Sequence, residues 1–174
     1  MKLLIASDIH GDLNSATLVI KAFNDEGCDR ILLLGDILYH GPRNDLPEGY
    51  APKEVIALLT PYKDKITAVP GNCDAEVDRM VLPFPIAEGG EARVFFGKTL
   101  YLHHGHHEEG EAARDADFIL SGHTHVSGRW ENRLNPGSTS IPKEETPHSA
   151  LVFDGKEFRF IDLETGKVYR TEKV

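Results

Sequence analysis

The chain has 174 residues, of which 40% are hydrophobic and 27% charged, as in an ordinary globular protein. Its formal net charge of −9, without any basic tract, argues against stable nucleic-acid binding, because that binding depends on cations that neutralise phosphates. Two cysteines are too few for a disulfide framework, and no apolar run is long enough for a signal peptide or a membrane span. We therefore predict one domain over residues 1–174, in the cytoplasm, with both thiols reduced and no membrane partner.

The chain opens with a predicted strand, Lys2–Ala6, and a predicted helix that either Asp12 or Asn14 caps and Gly27 ends. Between the two elements stand Asp8 and His10. In extended backbone, residues two apart point the same way, and both of these side chains can bind a borderline divalent metal. The alternative is that His10 is an ordinary loop residue.

The unbroken apolar run Ile31–Leu34 predicts a strand buried on both faces, which delivers Gly35-Asp36 to the carboxyl end of a sheet. Strand, helix and strand together favour a parallel pair with a right-handed crossover. Asp36 has two oxygens and can bridge two metal ions at this position. Taken alone, however, a Gly-Asp pair after a strand is more often a turn.

Residues 40–50 contain prolines and glycines that exclude regular structure, so they are predicted to form a loop overhanging Asp36. Arg43 in this loop either holds a phosphate oxygen or is a solvated side chain. A second helix is predicted to begin at Pro52, because proline suits the first position of a helix.

A third predicted strand, Lys65–Val69, is followed by Gly71-Asn72-Cys73-Asp74. Asn72 offers a neutral oxygen to a metal, although a Gly-Asn pair alone is usually a turn. Cys73 is either a small buried hydrophobe or a site residue. Asp74 is predicted to cap the helix that follows.

The second half of the chain is predicted to be richer in antiparallel sheet. A hairpin over residues 92–103 ends in the histidine cluster 103–107, which continues an apolar strand rather than a polar tail. A short polar helix is predicted at 108–114, and a strand at 117–120 delivers His123 and His125, again two residues apart. Further short strands are predicted at 129–131, 133–138, 150–154, 157–163 and 168–171.

Five predicted strand ends thus carry oxygen or nitrogen ligands. They are Asp8 with His10, Asp36, Asn72, His104, and His123 with His125. Mixed ligands of this kind, without thiolate, suit Mn²⁺, Fe²⁺, Zn²⁺ or Ni²⁺ rather than a structural zinc site. Seven side chains are too many for one ion, whereas two ions that share one carboxylate use them all.

These motifs resemble those of the calcineurin-like metallophosphoesterases, in the same order and over nearly the whole chain. They are Asp8-Ile9-His10, Gly35-Asp36, Gly71-Asn72, His104-Gly105-His106 and Gly122-His123-Thr124-His125. The stretches 40–44, 71–74 and 135–138 further resemble the small bacterial YfcE-type phosphodiesterases. The resemblance implies an α/β fold, a four-layer α/β/β/α sandwich of two mixed β-sheets flanked by helices, with a two-metal site at one rim.

The resemblance also implies how the site residues divide. One ion is held by Asp8, His10, Asp36 and His125, and the other by Asp36, Asn72, His104 and His123. Mn²⁺ is the expected metal, and His106 is expected just outside the ligands, near the first ion. The expected catalytic group is Asp36, Asn72, His106 and Cys73, and the expected substrate contacts are Arg43, His40 and Asn72.

In this chemistry, two divalent ions about 3.5–4 Å apart make a bridging hydroxide available and clamp the attacking and leaving oxygens of an in-line displacement. Many family members carry a histidine after the Gly-Asn pair that can protonate the leaving oxygen, whereas this chain has Cys73. A thiol with a pKa of about 8.5 is a poor substitute for that acid. The change favours substrates with acidic leaving groups, and YfcE-type enzymes share the cysteine.

We therefore predict a divalent-metal-dependent phosphodiesterase that hydrolyses small phosphodiesters. Two alternatives stay open, namely a phosphomonoesterase or nucleotidase of the same fold, and an inactive binding module like the retromer scaffold subunit. The binding module requires a degraded metal site, whereas every ligand position is filled here. The acidic charge weighs against a nuclease, and a homo-oligomer is compatible with each of these hypotheses.

Overall fold

The computed structural model describes residues 1–174. Its strands are β1 Leu3–Ala6, β2 Arg30–Leu33, β3 Ile66–Ala68, β4 Glu91–Phe95, β5 Lys98–Leu102, β6 Phe118–Leu120, β7 Gly128–Trp130, β8 Arg133–Asn135, β9 Ser149–Phe153, β10 Glu157–Asp162 and β11 Lys167–Lys173. Its α-helices are α1 Leu13–Asp25, α2 Pro52–Leu59 and α3 Glu76–Val81, and short 3₁₀ helices span Thr60–Lys65 and Glu111–Ala113.

The strands form two mixed sheets. The first has six strands in the order β11-β10-β9-β1-β2-β3, in which β1, β2 and β3 are parallel and β9, β10 and β11 run antiparallel to their neighbours. The second has five strands in the order β4-β5-β6-β8-β7, in which β5, β6 and β8 are parallel and the edge strands β4 and β7 are antiparallel. The predicted parallel pair β1–β2 and the predicted hairpin β4–β5 are both present.

Alternate residues of β1 face different layers, as the two-residue period of a strand requires. Leu4 and Ala6 pack in the apolar core that α1 and α2 cover, whereas Leu3 and Ile5 pack in the core between the two sheets. Both faces of this strand are therefore buried, and the first sheet lies between the helices and the second sheet.

The outer face of the second sheet carries a smaller apolar cluster of Tyr101, Ala113 and Ile119. The predicted polar helix at 108–114 is helical only at Glu111–Ala113, so this outermost layer is thin. The predicted α/β sandwich of two mixed sheets with flanking helices is confirmed.

The helix boundaries follow the predicted signals. Asp12 accepts a hydrogen bond from the backbone N–H of Ser15 at the start of α1, and Gly27, with a φ of 62°, lies just beyond its end. Pro52 occupies the first position of α2. None of the helices has the length and apolar character needed to cross a bilayer.

Candidate metal centre and active site

The loops that follow five strands meet at one rim between the sheets. β1 leads to Asp8 and His10, β2 to Asp36, β3 to Asn72, β5 to His104, and β6 to His123 and His125. Backbone hydrogen bonds join these loops, because the N–H of His10 donates to the carbonyl oxygen of Asp36 (2.9 Å) and that of Gly122 to the carbonyl oxygen of His104 (2.9 Å). The ligand-type residues predicted at separate strand ends are thus neighbours in space.

Most of these residues have a left-handed backbone conformation. Nine non-glycine residues of the chain have a positive φ, and five of them belong to the clusters of ligand-type residues. These five, with φ between 51° and 68°, are Asp8, His10, Asp36, His123 and His125. Such a conformation costs roughly 1–2 kcal/mol per residue and persists where the surrounding structure enforces it. The sequence pattern predicts that Asp8 and His10 point the same way because the backbone is extended. That reason is wrong, since β1 ends at Ala6 and the chain turns at both residues.

Asp8, His10 and His125 form a first cluster. Asp8 Oδ1 lies 3.2 Å from His125 Nε2 and 3.6 Å from His10 Nε2, and the two Nε2 atoms are 3.3 Å apart. Asp36 stands beside this cluster, with its Oδ2 3.8 Å from His10 Nε2. The ligand atoms of Asp8, His10 and His125 lie within 4.8 Å of one another, close enough to share one ion.

Asp36, Asn72, His104 and His123 form a second cluster. His104 Nε2 lies 3.3 Å from Asp36 Oδ2 and 3.1 Å from Asn72 Oδ1. His123 Nδ1 lies 2.7 Å from the same Asn72 oxygen. Asp36 Oδ2 approaches histidines of both clusters, as expected of a bridging ligand, and Asp8 Oδ1 also lies 3.9 Å from His104 Nε2.

Backbone carbonyls fix the orientation of three imidazole rings. Each Nδ1 donates to a carbonyl oxygen at 2.7–2.9 Å, His10 to Tyr39, His104 to Leu34 and His125 to Ile141. With the proton on Nδ1, the Nε2 lone pair of each ring points toward the carboxylates and is free to bind a metal.

The donor chemistry fits divalent cations. Asp8 is fully buried, and its Oδ1 receives no hydrogen bond. A buried carboxylate oxygen without a partner is costly, and a bound cation removes that cost. Carboxylate, imidazole and amide ligands together suit the borderline divalent metals.

The same residues perturb each other's protonation. Burial disfavours the charged form of Asp8, but the neighbouring His10 and His125 side chains outweigh it and hold the pKa of Asp8 below its usual value. Burial also disfavours a charge on His104, but Asp36 and Asp8 outweigh it and raise the pKa of His104 from 6.5 to about 9. The carboxylates therefore attract positive charge strongly, and a divalent ion competes with these protons for the histidines.

Asp74 holds the ends of β2 and β3 together. Its carboxylate accepts hydrogen bonds from the backbone N–H groups of Asp36 (2.8 Å), Ile37 (2.8 Å) and Gly71 (2.7 Å). Burial raises the pKa of Asp74, and the three N–H groups oppose that rise because they favour the carboxylate form. A Cβ at Gly71 would collide with the Asp36 carboxylate, so only glycine permits this approach.

The predicted role of Asp74 as a helix cap is wrong. α3 begins at Glu76, and the N–H of Ala75 donates to the side chain of Asp78 rather than to Asp74. The carboxylate of Asp74 instead serves residues far away in the sequence.

A cleft of about 400 Å³ opens beside the second cluster. Its walls include Asp36, Arg43, Asn72, Cys73, His123 and Lys143. Arg43, singled out in the sequence as a candidate phosphate ligand, thus borders the cleft. Lys143 was not singled out, because it lies in a polar stretch without a motif and reaches the cleft only through the fold.

Two predicted site residues lie elsewhere. The ring of His40 packs 4.7 Å from that of Tyr39 and 5.2 Å from that of Tyr50, and it does not line the cleft. The ring of His106 lies 5.3 Å from that of His104, beside the second cluster, whereas the resemblance placed it near the first. His106 lines a separate cavity of about 240 Å³. The functional roles of both residues stay predictions.

Cys73 lies between the cleft and the bridging carboxylate. Its N–H donates to Asp36 Oδ1 (2.7 Å), and its sulfur accepts a hydrogen bond from Asn72 Nδ2 (3.2 Å). Burial, followed by the charge of Asp36, raises the pKa of the Cys73 thiol to about 12, so the thiol stays protonated at neutral pH. Neither Cys28 nor Cys73 forms a disulfide.

Comparison with known proteins identifies the family. The model of the calcineurin-like phosphoesterase superfamily domain matches residues 1–157. The chain belongs to the calcineurin-like phosphoesterase superfamily. Within this superfamily, phosphodiesterase YfcE of Escherichia coli is 42% identical over 170 residues, which cover 94% of this chain and 92% of the relative.

Solved structures of the superfamily fold agree. Yfce, a phosphoesterase from E. coli, superposes with a TM-score of 0.90 at 39% identity and covers 100% of both chains. Vps29 from Entamoeba histolytica, in complex with Zn²⁺, reaches a TM-score of 0.59 at 21% identity over 100% of this chain and 98% of that one. At this lower identity the likeness shows the shared fold alone.

The predicted calcineurin-like, YfcE-type relationship is confirmed, and so is the prediction of a phosphoric ester hydrolase. Membership of a metallophosphoesterase superfamily implies divalent metals, for which the clusters around Asp8 and Asp36 provide ligands.

Proposed function

We propose that this protein is a divalent-metal-dependent phosphodiesterase of 174 residues in one domain, acting on small phosphodiesters with Mn²⁺ as its metal. The observation that carries the proposal is the buried Asp8 oxygen without a hydrogen-bond donor, surrounded by imidazole nitrogens with free lone pairs. A phosphodiesterase at 42% identity supports the reaction class.

We assign the metal ligands to the two clusters. Asp8, His10, Asp36 and His125 would hold one ion, and Asp36, Asn72, His104 and His123 the other. When bound, two such ions activate water as a nucleophile and offset the charge that grows on the phosphoryl oxygens. Asp36 Oδ2 lies near His10 of one set and His104 of the other, whereas Asp36 Oδ1 accepts the N–H of Cys73, which orients the carboxylate for this shared role.

The remaining residues of the site position the substrate. Arg43 at the cleft wall offers a guanidinium that can take a phosphate oxygen in two hydrogen bonds. Cys73 stays protonated and is a weak acid, so no side chain at its position readily protonates the leaving oxygen. The enzyme then depends on leaving groups that are acidic themselves, which favours activated small diesters.

The size and charge of the site agree with a small substrate. A cleft of about 400 Å³ falls in the range of small-molecule pockets, about 300–1,000 Å³. The net charge of −9 opposes stable binding of nucleic acid. Free thiols at Cys28 and Cys73 support a reducing compartment, which we propose to be the cytoplasm.

The test compares bis(p-nitrophenyl) phosphate with p-nitrophenyl phosphate, using protein stripped with EDTA and reloaded with Mn²⁺, Fe²⁺, Zn²⁺ or Ni²⁺. We expect no turnover after stripping, recovery with Mn²⁺, and a higher kcat/KM for the diester. A higher kcat/KM for the monoester would make the protein a phosphomonoesterase instead. No turnover of either ester with any of the four metals would favour an inactive binding module.

A further inference from the structure

We propose that Lys143 binds a second anionic group of the substrate. The preferred substrates would then be small phosphodiesters that carry a further phosphate on one of their alcohols. This inference rests on the proposed phosphodiesterase function and names a substrate class within it.

Lys143 is one of two cationic side chains that border the cleft, the other being Arg43. Neither side chain forms an ion pair with a carboxylate, whereas Arg133 pairs with Glu109 and Arg159 with Glu26 elsewhere on the surface. Both cleft cations are therefore available to an anionic ligand, in a protein whose formal net charge is −9.

Backbone hydrogen bonds hold Lys143 beside the metal centre. Its N–H donates to the carbonyl oxygen of His125 (3.1 Å), and its own carbonyl oxygen accepts from the N–H (3.1 Å) and the hydroxyl (2.7 Å) of Thr146. The hydroxyl of Thr146 also lies 3.3 Å from the His125 carbonyl oxygen. The turn from Lys143 to Thr146 is thus attached to a residue of the first cluster.

The turn is also strained. Its two central residues, Glu144 and Glu145, have φ values of 53° and 60°, in the left-handed region that glutamate rarely occupies. Two adjacent residues of this kind persist only where the surrounding structure enforces them, and such strain is concentrated at functional sites. The strain, together with the bonds to His125, indicates that the position of Lys143 is built into the fold.

The two cations have different places in the cleft. Arg43 belongs to the loop after β2, whereas Lys143 is attached to the loop after β6. The cleft of about 400 Å³ is larger than one phosphate group fills. A scissile phosphate bound at the clusters and Arg43 therefore leaves the Lys143 ammonium for another anion, and a phosphate monoester with nearly two charges gains most from it.

The test uses two substrates that share the scissile bond and the leaving group: thymidine 5′-(p-nitrophenyl phosphate) and the same compound with a 3′-phosphate. With Mn²⁺-loaded enzyme, we expect kcat/KM to be about tenfold higher for the 3′-phosphorylated compound, mainly through a lower KM. Lys143→Gln should reduce this ratio to near one, and Lys143→Arg should restore most of it. Lys156→Gln, at an exposed lysine outside the cleft, serves as the matched control and should keep the full ratio.

A ratio near one in the unaltered enzyme would overturn the inference, and so would a ratio that survives Lys143→Gln. An equal loss for both substrates in Lys143→Gln would assign the lysine to the scissile phosphate and would also overturn it. Calorimetric binding of thymidine 3′,5′-bisphosphate and thymidine 5′-phosphate to the Mn²⁺-loaded protein separates the two proposals. A preference for the bisphosphate that disappears in Lys143→Gln supports the anion site even if the phosphodiesterase assay fails, and the absence of any preference refutes the site even if the assay succeeds.

Discussion

Asp74→Asn tests how the ligand loops are held in place. In the native protein, Oδ2 of Asp74 accepts the N–H groups of Asp36 and Gly71, and Oδ1 accepts that of Ile37. The amide has the same shape but only one oxygen. Whichever way it is turned, its NH₂ group faces at least one backbone N–H, so a donor meets a donor.

The cost follows from these three bonds. A backbone donor left without an acceptor costs about 1–3 kcal/mol, and the remaining bonds lose the strengthening that the carboxylate charge provides, about 1 kcal/mol more. We therefore expect Asp74→Asn to lower the free energy of unfolding by about 2–4 kcal/mol. In a chain of this length that corresponds to a fall in Tm of roughly 10 °C.

Urea unfolding of EDTA-treated protein, followed by circular dichroism, measures this cost. Asp115→Asn is the matched control, because Asp115 is exposed and its side chain makes no hydrogen bond or ion pair, so its free energy of unfolding should change by less than about 0.5 kcal/mol. Asp74→Asn should also weaken Mn²⁺ binding without removing a ligand, since the backbone of Asp36 loses its anchor. If Asp74→Asn were as stable as Asp115→Asn, the reasoning would be refuted.

Further predictions concern the ligands and the thiols. Metal analysis of Asp36→Asn should show weaker binding of both ions, and full retention of one ion with surviving activity would contradict the bridging role. Mn²⁺ binding at pH 7.5 should release protons into weakly buffered solution, because the pKa of His104 is raised to about 9 in the metal-free protein. The apparent affinity for Mn²⁺ should therefore rise as the pH approaches 9. Binding without proton release would argue against His104 as a ligand. Titration of the denatured, unreduced protein should count two free thiols, Cys28 and Cys73, and a count of zero would indicate a disulfide. Across phosphodiesters of increasing leaving-group pKa, the rate should fall steeply. Cys73→His should raise the rate for poor leaving groups by about 10²-fold and so flatten that slope, because the imidazole can protonate the leaving oxygen. Cys73→Ser should change the rate little. A large loss in Cys73→Ser with metals and fold intact would show that the thiol takes part in the reaction.

The sequence could bring the proposed metal ligands together because they follow a simple rule of α/β folds. Asp8, Asp36 and Asn72 each come directly after an apolar run, and the carboxyl ends of parallel strands meet at one edge of a sheet. Knowing that each residue follows a strand was therefore sufficient to predict that they lie close together, without knowledge of the exact backbone conformation. The motif order then connected the chain to its family.

What the sequence could not predict depends on contacts between distant segments. Asp74 has the local signature of a helix cap, but its hydrogen-bond partners include Asp36 and Ile37, 38 and 37 residues away. Lys143 has no motif around it, and only the turn attached to His125 brings it to the cleft. Local secondary-structure propensity cannot predict either arrangement, because each depends on which loops become neighbours after folding.

The left-handed turns at Asp8 and His10 were not predicted from the sequence, and they allow the backbone pairing of β1 and β2 to continue into the loops. Beyond the ends of β1 and β2, the N–H groups of Asp8, His10 and Gly11 still donate to the carbonyl oxygens of residues 35, 36 and 37, at 3.1, 2.9 and 2.9 Å. The turns at Asp8 and His10 allow this pairing to continue while both side chains face inward. Each turn costs roughly 1–2 kcal/mol, which the continued hydrogen bonds help to offset. In zinc fingers, by contrast, the metal itself organises an otherwise unfolded chain. Here the backbone pairing orders the first two ligand loops, so the chain, rather than the ion, determines where the ligands stand.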